Sequence, residues 1–250
     1  MTSEKVIEVK NLVKKFGSFV ANDNLSFDVY RGEIFGFLGA NGAGKTTALR
    51  ILSGLSKPSS GDVRVAGLDI YRHAEKVKKH IGYMCQKFSL YEDLTVAENI
   101  MLYGGIYGLS KKIIENRAST LLESLNFTSY RKNIIGSLPL GMRQKLAFAV
   151  AILHDPDIVF LDEPTGGVDP ITRRQFWEMI YKASSDGITV FVTTHYMDEA
   201  EYCDRVSIMS EGRIVAIDSP DELKKRYGAS SVQDVFVKIA RPSNYSPNNN

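Results

Sequence analysis

Cysteine is nearly absent from these 250 residues: Cys85 and Cys203 are the two, far apart and in no metal-ligand spacing. That speaks against a thiolate metal site and fits a reducing compartment in which both stay thiols, a disulfide between them being the lesser alternative. Long apolar runs are missing too. Stretches such as Ala147 to Leu153 fall far short of the ~20 residues that cross a bilayer, so any membrane role is expected to be peripheral. Met1 to Lys10 is polar and then alternating, with no apolar centre of a signal peptide, so secretion is not expected. Nor does one sign of charge dominate, with 31 basic against 29 acidic residues and a net charge of +2. No nucleic-acid partner is expected from such a balanced surface, and partners have to be read from sites. What is present is a 44% hydrophobic composition, enough for a sizeable core in one domain, or in one domain with an inserted subdomain.

Alternation at Ile7 to Lys10 and again at Leu25 to Val29 predicts two half-buried strands joined by a turn near Gly17, and Val63 and Val65 continue the pattern. An antiparallel region is therefore expected over much of the first seventy-odd residues. Set into it is a different signal: the continuous apolar run Ile34 to Leu38, a glycine-rich turn, and a helical stretch from Thr46 to Leu55. From about Leu90 to Ile135 the period is helical, with Val96, Ile100 and Leu102 in one segment and Ala118, Leu121, Leu122 and Leu125 in another. A helix from Lys145 then leads to the buried run Ile158 to Leu161. The helical stretch Ile171 to Ala183 and a third buried run, Ile188 to Val192, complete an open α/β pattern. Arg241 to Asn250, rich in Ser, Pro and Asn, is expected to be a frayed tail.

Gly39-Ala40-Asn41-Gly42-Ala43-Gly44-Lys45-Thr46 has the spacing of a phosphate-binding loop. Small residues are needed there because backbone N–H groups from Gly42 to Thr47 must curl around a phosphate that a bulky side chain would keep out. Lys45 adds a point charge, the following helix adds its N-terminal dipole, and the Thr46 hydroxyl is placed to ligate Mg²⁺. The plain alternative is a glycine turn, but the full pattern arises by chance on the order of once per hundred chains of this length. The run Ile158 to Leu161 ends in Asp162 and Glu163. One carboxylate of such a pair can reach the metal while its neighbour, suited to general-base work, faces an attacking water. Taken alone, the pair could equally be two solvated acids at a strand end.

With these motifs in hand, the chain from about Val6 to Tyr227 resembles the nucleotide-binding cassette of ABC transporters. The resemblance implies a P-loop NTPase core with a mostly parallel sheet, an N-terminal antiparallel β-subdomain and an inserted α-helical subdomain. The cassette is expected over residues 1–228, with the insertion at about 88–150, and residues 229–250 as a C-terminal extension and tail. It implies ATP and Mg²⁺ as cofactors, with Phe16 stacking on adenine, Gln86 touching Mg²⁺, His195 contacting the γ-phosphate, and Gly167-Val168-Asp169 crossing to an opposite subunit. Read without the family, Phe16 is a turn aromatic, Gln86 a surface amide, His195 a structural hydrogen-bonder, and Asp169 a helix cap.

One motif departs from the family pattern. Its signature opens Leu-Ser-Gly-Gly-Gln, whereas here Leu138-Pro139-Leu140-Gly141-Met142-Arg143-Gln144 occupies the place. Pro139 brings neither hydroxyl nor N–H, although proline suits a helix's first turn and the Gly141 N–H and helix dipole remain for phosphate. The Gly-Met-Arg-Gln continuation and Ser231 to Phe236 are similar to cassettes of the drug-export branch. The expected function is ATP hydrolysis that powers export through a separate transmembrane permease subunit. A second nucleotide-binding subunit completes each ATP site, and the cassette is peripheral on the cytoplasmic face. Tyr91 and Leu94 are candidates for contact with the permease. Two other readings stay open: a soluble ABC-like ATPase not coupled to transport, and a regulatory cassette without turnover. A GTPase is disfavoured by the lack of a guanine-reading Asn-Lys-x-Asp.

Overall fold

Alternating apolar residues fold positions 5–30 into a hairpin of β1 (Lys5–Phe16) and β2 (Phe19–Tyr30), turning at Gly17 with φ 60°. A computed structural model describes residues 4–86 and 90–240; the expected tail, 241–250, lies outside them. After the hairpin come β3 (Ile34–Gly39), α1 (Lys45–Leu52), β4 (Ser60–Val65), β5 (Leu68–Asp69), α2 (Ala74–Val77) and β6 (Ile81–Met84). The helical stretch holds α3 (Val96–Ile106), α4 (Lys111–Ser124) and α5 (Leu140–Ala151). The chain continues through β7 (Ile158–Asp162), α6 (Pro170–Ser185), β8 (Thr189–Thr194), β9 (Arg205–Ser210), β10 (Arg213–Asp218), α7 (Pro220–Tyr227) and α8 (Val232–Ala240).

Among the described residues two sheets form, an antiparallel one in the order β2-β1-β4-β5 and a larger one in the order β10-β9-β3-β8-β7-β6. In the larger sheet every pairing is parallel except that of β9 with β10. The expected architecture is thus observed, with α1 between the two sheets. The continuous apolar run of β3 follows from burial on both faces: Phe35 and Phe37 enter one core with Phe27, Leu49 and Ile51, while Ile34 and Leu38 enter another with Leu146, Phe148 and Ile180. In the first core Phe191 is wholly buried and its ring centroid lies 5.2–6.2 Å from those of Phe27, Phe35, Phe37 and Phe160. Edge and offset contacts of this kind add to the burial of apolar area.

Several expectations need correction. The first helix stops at Leu52, where Ser53 caps it, not at Leu55. The helix expected from Lys145 starts five residues earlier, at Leu140, because Pro139 supplies its N-cap with φ −54° and ψ 147°. Leu102, grouped with Val96 and Ile100, is 38% exposed, whereas α3 buries those two together with Asn99 and Gly104. Strands β5, β6, β9 and β10 and helices α2, α7 and α8 were not anticipated. The β9–β10 hairpin did carry a local signal in Glu211-Gly212, whose positive φ values, 48° and 77°, suit a tight two-residue turn.

Phe191→Ala should remove about 3–5 kcal/mol of stability, lowering the melting temperature by roughly 10 °C for a chain of this size. Thermal unfolding followed by circular dichroism checks this, and an unchanged midpoint would show that the aromatic cluster does not hold the sheets together.

Candidate functional site

Parallel strands bring their C-terminal ends to one edge of the sheet, and the predicted residues gather there, as open α/β sheets dictate. At the end of β3 the loop from Gly39 to Gly44 turns into α1, with φ 83° at Gly42 and φ 100° at Gly44, the N-cap. A Cβ on Gly44 would lie 2.3 Å from the Ala21 carbonyl oxygen and 2.7 Å from Asn22 Nδ2, so β2 presses directly on the loop. Asn22, fully buried, donates from Nδ2 to the Gly44 carbonyl at 3.1 Å. Ala43 N–H closes the turn on the Ala40 carbonyl at 3.1 Å. Lys45 folds back over it: Nζ donates to the carbonyls of Gly39 at 2.8 Å and Ala40 at 3.2 Å, and lies 3.4 Å from Glu163 Oε1, only 4% exposed.

Asp162 ends β7. Its Oδ1 accepts from Thr46 Oγ1 at 3.2 Å and Thr193 Oγ1 at 2.7 Å, so hydroxyls from α1 and β8 converge on one oxygen. Burial pushes the Asp162 carboxyl above its ordinary range, opposed by those two hydrogen bonds. The ionised form that a metal ligand requires therefore needs compensating positive charge, which a divalent cation provides. The donors fit one: hydroxyl and carboxylate oxygens are hard ligands, and Mg²⁺ commonly takes one or two protein groups plus phosphate and water. Among the described residues no cluster of three or more His, Cys, Asp or Glu offers an all-protein cage.

Glu163 sits in the left-handed region at φ 49°, a conformation that costs a non-glycine residue roughly 1–3 kcal/mol and persists only where its surroundings enforce it. Enforcement comes from Thr193, whose carbonyl and Oγ1 both accept from the Glu163 N–H, at 3.1 and 3.0 Å. So turned, the carboxylate meets three elements at once. Oε1 faces Lys45, Oε2 accepts from Gln86 Nε2 at 2.9 Å, and His195 Nδ1 lies 3.0 Å from the same Oε2, off the line of a ring N–H hydrogen bond. Gln86, expected beside Thr46 and Asp162, is thus placed on Glu163. Phe16 ends β1 with 55% exposure and the Lys14 ammonium 4.8 Å from its ring centre, a flat face that packing does not account for.

Residues 22–166 match the sequence profile of the family described as ABC transporter. The chain belongs to the ABC transporter family. Over 237 residues it is 49% identical to the probable multidrug ABC transporter ATP-binding protein YbhF of Escherichia coli (strain K12), a match covering 95% of this chain and 41% of that protein. The chain therefore spans less than half the length of that relative. Over 233 residues it is 36% identical to the linearmycin resistance ATP-binding protein LnrL of Bacillus subtilis (strain 168), covering 93% of this chain and 75% of that one. A solved dimeric, post-hydrolysis ATP-binding cassette bound to ADP and Pi is 26% identical with a TM-score of 0.77, covering 85% of this chain and 98% of that chain.

In this ABC cassette the variant signature begins α5. Leu138 is buried, Pro139 is exposed at the N-cap, one position before the first turn, and its carbonyl accepts from Arg143 N–H at 3.1 Å. A Cβ on Gly141 would lie 2.5 Å from Thr172 Cγ2, and Gln144 Nε2 donates to the Gly166 carbonyl at 3.2 Å. Asp169 caps α6, accepting from the N–H groups of Ile171 and Thr172 at 3.0 Å. These contacts tie the signature to the loop after Glu163 rather than to Lys45 and Thr46. Thr193 and Asn22 are the functional neighbours that sequence reasoning missed. Thr193 was visible as part of Thr193-Thr194-His195, whereas Asn22 carried no signal.

Gly44→Ala should reduce ATP affinity at least about tenfold, since the methyl group collides with β2 and φ is unfavourable. Gly42→Ala, whose Cβ meets nothing within 4 Å, should lose less. Titration calorimetry separates the two, and equal losses would contradict the packing argument.

Proposed function

We propose that this cassette hydrolyses Mg·ATP to power export of a substrate through a separate transmembrane permease subunit, on the cytoplasmic face of a membrane. The observation that carries this reading is the Glu163 carboxylate held among Lys45, Gln86 and His195 beside the phosphate loop. Backbone N–H groups from Gly42 to Thr47, the dipole of α1 and Lys45 bind the β- and γ-phosphates. Phe16 stacks on adenine. Glu163 takes a proton from the attacking water, and His195 contacts the γ-phosphate and orients Glu163. Thr46 and Asp162, with Gln86 as a further ligand, would hold magnesium, which would supply charge neutralisation at the phosphates.

A second nucleotide-binding subunit, the same chain or a different one, completes the site with Leu138, Pro139, Gly141 and Gln144 of its signature and Asp169 of its crossing loop. ATP bridging two subunits binds the closed pair better than the open one and shifts the population toward closure. The dimeric form of the ADP- and Pi-bound cassette supports this reading, and similarity to a multidrug transporter protein, YbhF, and a linearmycin resistance protein, LnrL, supports export. On this reading the cassette covers residues 1–228, with the helical insertion at about 88–150. The permease docks beside Tyr91 and Leu94. Tyr91 is exposed, its backbone is tied to α3 through the buried Asn99, and further along α3 the exposed Ile106 joins Leu55, Tyr83 and Tyr107 in a cleft. Among the described residues no helix is long and apolar enough to cross a membrane.

Glu163→Gln should keep ATP affinity within about threefold while lowering turnover by roughly 10²–10⁴; normal phosphate release by that variant removes Glu163 from the base role. Pro139 should be compatible with turnover, so that Pro139→Ser changes the rate of the assembled transporter by less than about fivefold. Hydrolysis that starts only once serine is installed would instead identify a regulatory cassette.

A further inference from the structure

Behind the site, a buried carboxyl group outside the recognised motifs joins its two principal loops. Glu199, wholly buried, accepts hydrogen bonds from Thr165 Oγ1 and from Thr194 Oγ1, the latter at 2.6 Å. Thr165 follows Glu163 by two residues and Thr194 immediately precedes His195, so one side chain fixes both segments. On α6, Arg173 Nε lies 3.7 Å from Glu199 Oε1, an ion-pair distance without a hydrogen bond, and Arg173 Nη1 lies 3.5 Å from Asp198. The same guanidinium sits 4.2 Å from the centre of the Tyr196 ring, and that ring is 4.2 Å, centre to centre, from His195 at an interplanar angle of 35°. A continuous stack Arg173–Tyr196–His195 therefore runs from α6 to the Glu163 carboxylate.

The histidine needs such a support. Its side chain is 32% exposed and Nδ1 makes no aligned hydrogen bond despite its 3.0 Å approach to Glu163, so hydrogen bonding at that nitrogen does not set the plane of the ring. Contact with the face of Tyr196, itself backed by the Arg173 guanidinium, does. Arg173 in turn belongs to the first turn of α6, its N–H bonded to the Asp169 carbonyl at 2.9 Å. We propose that Tyr196 and Arg173 are positioning residues for His195, and that their stack transmits the seating of the Asp169 turn to the histidine. The kinetic consequence rests on the hydrolytic reading above; the geometric one does not.

The full chain contains four histidines, so their imidazole resonances can be followed in ¹³C-histidine-labelled protein, with His195 assigned by its loss in His195→Gln. Tyr196→Ala and Arg173→Ala should each move the His195 resonance toward the free-imidazole position and leave those of His73, His80 and His154 in place. Tyr196→Phe, which keeps the ring, should leave all four unmoved. In ATP hydrolysis both alanine variants should lower kcat about tenfold with KM unchanged, and the double variant should lose no more than either single one. A His195 resonance indifferent to Tyr196→Ala, a phenylalanine variant as impaired as the alanine one, or losses that multiply in the double variant would each overturn the proposal. If the transporter assembled with the unmodified chain hydrolyses no ATP, the hydrolytic reading fails, and the resonances alone decide whether the stack exists.

Discussion

A nearly buried ammonium group sets the terms for everything around it. Lys45 Nζ, 4% exposed, is held by the carbonyls of Gly39 and Ala40 and faces the Glu163 carboxylate. A charge taken out of water is tolerated only where opposite charge and oriented dipoles replace its hydration. The loop must therefore curl tightly enough to aim its carbonyls at the lysine, and it can do so only with glycine where β2 presses on it. The geometry that makes the ammonium tolerable is the geometry that prepares a site for phosphate.

The second demand falls on β7 and β8. Asp162 and Glu163 are adjacent in sequence yet have to face different partners, and the left-handed turn at Glu163 separates them. Thr193 makes this possible by bonding the Asp162 carboxyl and the Glu163 N–H from the neighbouring strand. Strain at one residue is thus matched by hydrogen bonds from another 30 positions away in sequence. The position of His195 follows from the same strand, whose end also carries the Thr194 hydroxyl that is anchored on Glu199.

The parts of this arrangement that were legible in the sequence are those whose physical demands are local. Strands β3, β7 and β8, buried on both faces, read as continuous apolar runs; the phosphate loop read as glycines flanking a lysine; Asp162 and Glu163 read as acids closing a buried strand. Contacts across long sequence separations were not legible. Asn22 acts on Gly44 and Glu199 acts on Thr165, and nothing beside either residue in sequence announces the partner. The start of α5 was set too late, at Lys145, although Pro139, read as suiting a helix's first turn, stands directly before it as the N-cap. Leu102 was grouped with Val96 and Ile100, but two residues beyond Ile100 it falls on the opposite side of the helix from the face that α3 buries through Val96, Asn99, Ile100 and Gly104.

If Lys45 and the loop backbone supply the binding energy, the affinity of the chain must depend on the phosphates more than on the base. Calorimetric titration of the purified chain with ATP and then AMP, in the presence of magnesium, measures this directly. ATP should bind at least about a hundredfold more tightly, a difference of roughly 2.7 kcal/mol, and equal affinities for the two nucleotides would contradict the account.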